Sequence, residues 1–231
     1  MLILGIETAT EQVGVAVGGH EGVIARFEVT RGRRHAETLA PAIDFVLRQA
    51  GVTIDELGCV AVDVGPGLFT GMRVGLAAAK ALAQALRLPM IGITSLDLLA
   101  FECRHSDRLL VPAIDARKGE VFWALYRQVP GGVQLVGGPS VGPVEDLVGD
   151  LLARSDDTLC VGDGAARYRD DIVEGYRCEI SEPTHPSAGS LVELAHARAL
   201  REDWVRPDQI EPVYLRAPDA QINWAVREAR R

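Results

Sequence analysis

The order of strand-like and helix-like segments occurs twice in this sequence, and that repetition constrains the fold more than any other feature. In residues 1–104 three strand-like segments precede a helix, a strand and a second helix, and residues 105–216 repeat that βββαβα order. The first strand of each half ends in a carboxylate, Glu7 or Asp115. Strands that combine hairpins with helical crossovers predict an α/β fold of two halves with mixed sheets. The remaining residues, 217–231, are a charged tail that fits a terminal helix or a frayed end.

The periodicity of apolar residues places the individual elements. Gly51 is expected to end the first helix, which tolerates Pro41 only in its first turn. Ser95 is expected to cap the helix that follows the fifth strand. Strands are predicted at 2–6, 13–17, 23–29, 60–64, 89–93, 109–114, 121–126, 133–136 and 159–162, and helices at 36–50, 71–86, 144–153 and 187–201. This duplicated layout is typical of ribonuclease-H-like, actin-like proteins.

Composition excludes several classes of protein. The 231 residues are 48% hydrophobic, so the chain can form a sizeable core, and no apolar run is long enough to span a membrane. The start, MLILGIETAT, predicts a strand rather than a signal peptide, so we expect a cytoplasmic protein without disulfides. Cys59 and Cys160 lie in strand-like runs and are expected to be buried thiols. A net charge of −8 predicts that the chain does not bind nucleic acid by itself.

The stretch VAVDVGPGLFTGMRVGLAAAKALA at 60–83 joins a strand, a glycine-rich loop and a helix. Such loops often bind phosphate, but the Walker A spacing fails because Met72 and Arg73 follow Gly71. The dinucleotide-binding spacing also fails, since Gly71 comes one residue too late. Backbone N–H groups at the start of the helix leave anion binding as an alternative.

Small residues recur at every fourth position of this helix, at Gly71, Gly75, Ala79 and Ala83. Positions i and i+4 share a helix face, so these residues form a smooth stripe. A glycine within a helix costs about 1 kcal/mol relative to alanine, so Gly75 indicates close packing. The stripe fits a contact either with the protein's own sheet or with a helix of another subunit. Bulkier apolar residues beside it are Met72, Leu76 and Leu82.

Actin-like proteins hold metal and phosphate at a D-x-G-T turn after the first strand of each half. The first turn of this chain reads Glu7-Thr8-Ala9-Thr10, and the second begins at Asp115, so both lack the glycine. Glu7, Thr8, Thr10 and Asp115 are candidate nucleotide contacts. The sequence predicts that the phosphate-binding function of these turns has been lost.

No catalytic or metal-binding residues are predicted. None of the five histidines has the spacing H-x-x-x-H or H-E-x-x-H, and the nucleophile motif G-x-S-x-G does not occur, so a zinc hydrolase is disfavoured. The basic cluster of Arg31, Arg33 and Arg34 with His35 fits a solvated loop or a surface that faces RNA or a partner. The sequence GDGA at 162–165 fits a turn or, alternatively, a loop around a sugar or adenine.

Several stretches of residues 1–216 resemble the TsaB (YeaZ-like) family in the same order. The most specific are GPG-x-FTG-x-R-x-G and DAR-x-GE-V; the others are ILGIETAT, RHAETLAP, ITSLDLLA and PVYLR. This family belongs to the actin-like ATPase superfamily and is related to the catalytic subunit TsaD. It works in the formation of threonylcarbamoyladenosine beside the tRNA anticodon.

The resemblance implies a non-catalytic subunit that holds TsaD in an active form. The ATPase TsaE would join the complex, and tRNA would be reached only through it. TsaD-type proteins carry a histidine pair after the glycine-loop helix, where this chain has TSLDL at 94–98. No tightly bound cofactor is expected, beyond weak ATP or ADP binding at a site shared within the complex. The alternative is a weak actin-like ATPase or kinase, although Glu7 replaces the aspartate usual in the relatives.

The same resemblance places the contact with TsaD on the helices at 36–50 and 71–86. The free chain would self-associate through this surface to form a homodimer. The residues expected at the contact are Leu39, Ile43, Gly71, Met72, Gly75, Leu76, Ala79, Leu82 and Ala83.

Overall fold

The computed structural model describes residues 1–32, 34–182 and 184–216, which fold around two five-stranded sheets. The first sheet contains β1 (Leu2–Glu7), β2 (Gln12–Gly19), β3 (Gly22–Thr30), β4 (Leu57–Asp63) and β5 (Met90–Ile93). The second contains β6 (Leu109–Arg117), β7 (Glu120–Val129), β8 (Gly132–Pro143), β9 (Thr158–Val161) and β10 (Glu179–Ile180). The α-helices are α1 (His35–Ala50), α2 (Phe69–Leu86), α3 (Ser95–Glu102), α4 (Val144–Arg154), α5 (Asp163–Arg167), α6 (Arg169–Gly175) and α7 (Ala188–Ala199).

The two sheets have equivalent topologies. Their strand orders are β3-β2-β1-β4-β5 and β8-β7-β6-β9-β10. In each sheet the first three strands pair antiparallel, and the last two join in parallel after helical crossovers. The predicted fold class, two βββαβα halves with mixed sheets of the actin-like kind, is confirmed.

Helices cover both faces of the first sheet. Side chains of β1 alternate between the faces, so Leu4 and Ile6 pack with α1 and α2 while Ile3 packs with α7. Gly5 allows α7 to approach closely, because a Cβ there would lie 2.9 Å from Val192 Cγ2. Helix α7 follows the second sheet in the chain and yet completes the core of the first.

Helix α3 lies between the two halves. Leu96 and Leu99 belong to the cluster that packs on the second sheet, whereas Leu98 packs with residues of the first sheet and α7. The predicted division into 1–104 and 105–216 is therefore crossed by apolar packing in both directions. No helix in the described ranges is long and apolar enough to cross a membrane.

Two local predictions are wrong. Helix α1 begins at His35, so Pro41 lies inside it rather than in its first turn. An internal proline costs about 3 kcal/mol, but Pro41 is exposed, and the buried side chains Leu39 and Val46 hold the helix against the sheet on either side of it. Helix α3 is capped by Thr94, whose Oγ1 accepts from the Asp97 N–H at 3.1 Å, and not by Ser95.

Other local predictions are confirmed. Gly51 ends α1 in a left-handed conformation with φ of 66°, where glycine carries no Cβ penalty. Cys59 and Cys160 are fully buried.

Candidate functional site

The turn after β1 is closed by hydrogen bonds from its own chain. The Ala9 N–H donates to Glu7 Oε1 at 2.7 Å, and the Thr8 hydroxyl donates to the Gly71 carbonyl at 2.8 Å. The Leu68 N–H donates to the Ala9 carbonyl at 2.6 Å. These groups lie where an actin-like turn would present N–H donors to phosphate, and each is already satisfied within the protein.

His35 closes the same turn from the other side. Its Nε2 lies 2.8 Å from the Thr10 carbonyl oxygen, and its ring is buried. Because a carbonyl only accepts, Nε2 carries the proton in this contact. His35 therefore joins the start of α1 to the turn after β1.

The glycine-rich loop packs against this turn as closely as atoms allow. A Cβ on Gly67 would lie 2.1 Å from the Ala9 carbonyl oxygen, and one on Gly71 would lie 2.2 Å from the Thr8 carbonyl oxygen. A Cβ on Gly75 would lie 2.2 Å from Thr8 Oγ1. The small residues thus give the loop and α2 close contact with the protein's own first strand.

Two carboxyl groups are buried side by side below the turn. Glu7 ends β1 and Asp63 ends the neighbouring parallel strand β4; they are 0% and 1% exposed. Glu7 Oε2 and Asp63 Oδ2 have no hydrogen-bond partner among the residues that the structure describes. Asp63 Oδ1 accepts from the Gly65 N–H and the Ser95 hydroxyl, each at 2.7 Å. Burial, then the neighbouring Asp63, raises the pKa of Glu7 well above its ordinary value. Burial likewise raises the pKa of Asp63 to about 7.

The Asp115 carboxylate of the second half forms ion pairs with two arginine side chains. Asp115 Oδ2 pairs with Arg117 at 3.1 Å and with Arg167 at 3.5 Å. The Asp115 N–H donates to Asp163 Oδ1 at 3.0 Å. Gly164 lets α5 approach β6, since its Cβ would lie 2.7 Å from the carbonyl carbon of Ile114. The sequence GDGA is thus the start of helix α5, packed on β6, rather than the turn predicted for it.

An ion pair spans the cleft between the halves. Arg117 Nη2 from the second half contacts Glu11 Oε1 from the first at 2.6 Å. This contact lowers the pKa of Glu11. Beside it lies a cavity of about 360 Å³ that is lined in part by Gly32, His35 and Phe69.

The predicted contact residues separate into two groups. Most of them are buried in the chain's own core: Leu39, Gly71, Met72, Gly75, Leu76, Ala79 and Ala83. Ile43 and Leu82 are only half-buried. The small-residue stripe therefore makes the first of the two contacts considered for it, with the protein's own sheet.

The outer faces of α1 and α2 expose other apolar residues. Phe45 of α1 is 42% exposed and Phe69 of α2 is 41% exposed. Ala77 and Ala81, also exposed, lie on the side of α2 away from the sheet. Helices α1 and α2 contact each other, and their exposed sides together are called the α1–α2 face. Phe45 lies at its β3 edge, packed on Phe27 with ring centroids 6.0 Å apart, and Phe69 packs on Tyr214 at 5.5 Å.

The basic cluster lies beside this face and is only partly described. Arg31 and Arg34 are exposed. Arg33 and the predicted tail 217–231 lie outside the described residues. Within residues 1–32, 34–182 and 184–216, no three His, Cys, Asp or Glu side chains converge in a way that could hold a metal ion.

Sequence reasoning missed three residues that shape the cleft. Asp63 ends a strand parallel to the one that Glu7 ends, a signal available in the sequence. His35 was grouped with the basic cluster, although it is buried against Thr10. Arg117 is within the DAR stretch, but its pairing with Glu11 follows from the relative position of the two halves, which no local pattern reports.

Comparisons with known proteins identify the family. A family model described as TsaD, tRNA N6-adenosine threonylcarbamoyltransferase, matches residues 28–224. The tRNA threonylcarbamoyladenosine biosynthesis protein TsaB of Escherichia coli is 31% identical over 94% of this chain and 95% of its own length. The chain belongs to the TsaB family. The Bacillus subtilis TsaB is 35% identical to this TsaB-family chain, over 97% of it and 98% of the relative.

Solved structures agree with the family and the fold. A Pseudomonas aeruginosa protein described as similar to peptidase YEAZ superposes with a TM-score of 0.83 at 30% identity, over 93% of this chain and 99% of that chain. YeaZ from the same organism gives 0.78 at 26% identity, over 92% and 100%. The TsaB family takes part in tRNA threonylcarbamoyladenosine biosynthesis, so the chain belongs to that pathway.

Proposed function

We propose that this chain is a non-catalytic subunit that binds the catalytic TsaD subunit through the outer faces of α1 and α2. In this role it supports the cytoplasmic transfer of threonylcarbamoyl to the adenosine beside the tRNA anticodon. The observation that carries the proposal is the apolar α1–α2 face. It lies beside the turn after β1, whose polar groups are hydrogen-bonded within the protein.

The closed turn is the argument against catalysis by the chain alone. Binding of Mg²⁺ and phosphate needs an ionised carboxylate and free N–H groups. Glu7 is buried, no cationic side chain of the described part of the chain contacts it, and its raised pKa favours the neutral form. The N–H groups of Ala9 and Leu68 are donated to the protein itself.

The α1–α2 face has the chemistry of a helix-packing surface. Ala77 and Ala81 allow a second helix to approach closely, and Phe45 and Phe69 supply large apolar area at its margins. Because the TsaD family model matches residues 28–224 of this chain, we expect TsaD to carry helices related to α1 and α2. Two related folds can pair through the same face, as two copies of one chain do in an isologous dimer. The same face therefore also accounts for the expected homodimer of the free chain.

The charge of the chain assigns tRNA contact to other subunits. With a net charge of −8, the chain as a whole repels the phosphates of tRNA. We expect TsaE to join the complex formed with TsaD. Any ATP or ADP would bind weakly and at a site completed by a partner.

An exposed alanine provides the test. Ala81→Arg keeps a good helix former but places a long cation on the α1–α2 face, so we expect TsaD of the same organism to bind at least 100-fold more weakly. The measurement is titration calorimetry, with light scattering to follow the homodimer. The matched control is Ala153→Arg, at an exposed alanine of α4 in the second half.

If Ala81→Arg bound TsaD with wild-type affinity while its fold stayed intact by circular dichroism, the contact would lie elsewhere.

The alternative function is a weak ATPase or kinase. The observation that favours it is the cavity of about 360 Å³ between the halves. It requires magnesium-dependent ATP binding by the isolated chain, which the same calorimeter measures. We expect none in the micromolar range.

A further inference from the structure

Two of the four cysteines meet at the edge of the second sheet. Cys160 lies in β9, and Cys178 lies directly before β10. The parallel register sets Ile180 opposite Cys160, so Cys178 lies two residues back along the neighbouring strand. The two Sγ atoms are 3.8 Å apart. Cys59 and Cys103 are buried in the core clusters of other layers.

The two thiols differ in access and in acidity. Cys160 is fully buried, whereas Cys178 is half-buried. Donation from the Cys160 S–H lowers the pKa of Cys178, and the same contact, together with burial, raises the pKa of Cys160. The thiolate therefore forms preferentially on the less buried of the two residues, and the thiolate is the reactive species.

We propose that Cys178 and Cys160 are an oxidation site that forms a reversible disulfide when the protein meets a hydroperoxide. In the first step the Cys178 thiolate attacks the peroxide oxygen, the O–O bond breaks, and Cys178 becomes a sulfenic acid as hydrogen peroxide is reduced to water. In the second step Cys160 sulfur attacks Cys178 sulfur, the S–O bond breaks, and the Cys160 proton leaves with the hydroxyl as a second water. Two thiols are oxidised, and one peroxide is reduced.

Disulfide formation requires the two sulfurs to move together. A disulfide bond is about 2.05 Å long, so the sulfurs must approach by a little under 2 Å from their separation of 3.8 Å. Because Cys178 lies two residues back along the neighbouring strand, the segment before β10 must shift toward β9 for the bond to form. The bond would close a loop that contains α5 and α6. Asp163 and Arg167, which contact Asp115, lie in that loop. Oxidation would thus fix the segment that supports the second-half side of the cleft.

Mass spectrometry of the full chain tests the proposal. Reduced protein is treated with hydrogen peroxide, free thiols are blocked with N-ethylmaleimide, and tryptic peptides are separated without reductant. We expect a peptide pair linked through Cys160 and Cys178 that dithiothreitol separates. We also expect Cys178 to react at least ten-fold faster than Cys59 or Cys103, and the melting temperature to rise by about 5 °C on oxidation.

Variants separate the two steps. Cys160→Ser should stop at a sulfenic acid on Cys178 that dimedone traps, and Cys178→Ser should leave Cys160 reduced. The double variant Cys59→Ala/Cys103→Ala should still form the linked peptide. Wild-type protein that carries Cys178 to sulfinic or sulfonic acid without any linked peptide would overturn the proposal. This result is independent of TsaD binding, because the readout is the mass of the isolated chain.

Discussion

Glu7 and Asp115 occupy the same position in the two halves, at or near the end of the central strand, and their surroundings are opposite. Glu7 is buried next to a second acid, Asp63, without a cation in contact among the described residues. Asp115 is held by Arg117 and Arg167. The duplicated topology thus fixes where a carboxyl group lies but not whether it is charged. Of these two carboxyl groups, only Asp115 contacts cationic side chains among the described residues.

In contrast, a glycine near each of these acids allows a helix to pack closely on the end of the central strand in both halves. Gly75 lets α2 approach Thr8, and Gly164 lets α5 approach Ile114. Close packing of a helix on the strand end is therefore retained while the electrostatics diverge. Substitutions can test the shared feature and the divergent one separately.

Gly75→Leu should have the largest effect. Its side chain would occupy the position of Thr8 Oγ1, 2.2 Å from the new Cβ, so α2 or the turn must move. We expect a loss of about 3 kcal/mol in the free energy of unfolding, measured by urea denaturation. The control is Gly149→Ala in α4, where no atom lies within 4 Å of the new Cβ and stability should rise by about 0.5–1 kcal/mol. Equal effects of the two variants would contradict the packing described here.

Asp63→Asn tests the neutral acid pair. Folding raises the pKa of Asp63 from 3.8 to about 7, so between these values the folded state keeps a proton that the unfolded state releases. The contribution of Asp63 to the stability of the wild-type protein therefore falls as the pH rises from about 4 to about 7. Asparagine does not titrate, so the variant does not lose stability in this way. We therefore expect the free energy of unfolding of the variant, relative to that of wild type, to rise by on the order of 2 kcal/mol between pH 4 and pH 8.

The contrasting variant is Asp115→Asn, which leaves Arg117 and Arg167 without their shared carboxylate. It should be less stable than wild type at pH 8, by about 1 kcal/mol. The measurement is urea denaturation of wild type and both variants at pH 4 and pH 8, from which the free energies of unfolding are compared. If Asp115→Asn were also more stable than wild type at pH 8, the surroundings of the two carboxyl groups would not differ as described.

Glu11→Gln should have the smallest effect. The Glu11–Arg117 pair joins the halves, but both side chains are more than 40% exposed, at 45% and 42%. Exposed pairs contribute less than about 1 kcal/mol, so we expect the melting temperature to fall by no more than about 3 °C. The difference from wild type should shrink in 1 M salt, since salt screens the pair. A salt-independent loss would indicate a packing role for Glu11 instead.

Much of the fold could be predicted from the sequence because it is local. Strand alternation, the helix period and Gly51 specify the elements and their order, and the repeat of that order specifies the architecture. Pro41 and Ser95 were misjudged for one reason: tertiary contacts outweighed local preference. Helix α1 is held by its buried face, and the Ser95 hydroxyl is used by Asp63.

The site was less accessible to sequence reasoning. The missing glycine of the turn at Glu7 was visible, and it led to the expectation that phosphate binding was lost. The stripe at Gly71, Gly75, Ala79 and Ala83 was visible too, but a helical period does not say which neighbour a small face meets. The structure shows that Thr8 lies against Gly71 and Gly75 and that Ala77 and Ala81 are exposed on the opposite side of α2.

Helix α7 has a consequence for synthesis on the ribosome. Residues 188–199 are the last long helix of the described chain, and they cover one face of the first sheet through Leu191 and Val192. During translation that face of β1 therefore stays uncovered until residues 188–199 have emerged. We expect the N-terminal half to depend on chaperones or on late rearrangement, and to gain protection from proteolysis only when α7 has left the exit tunnel.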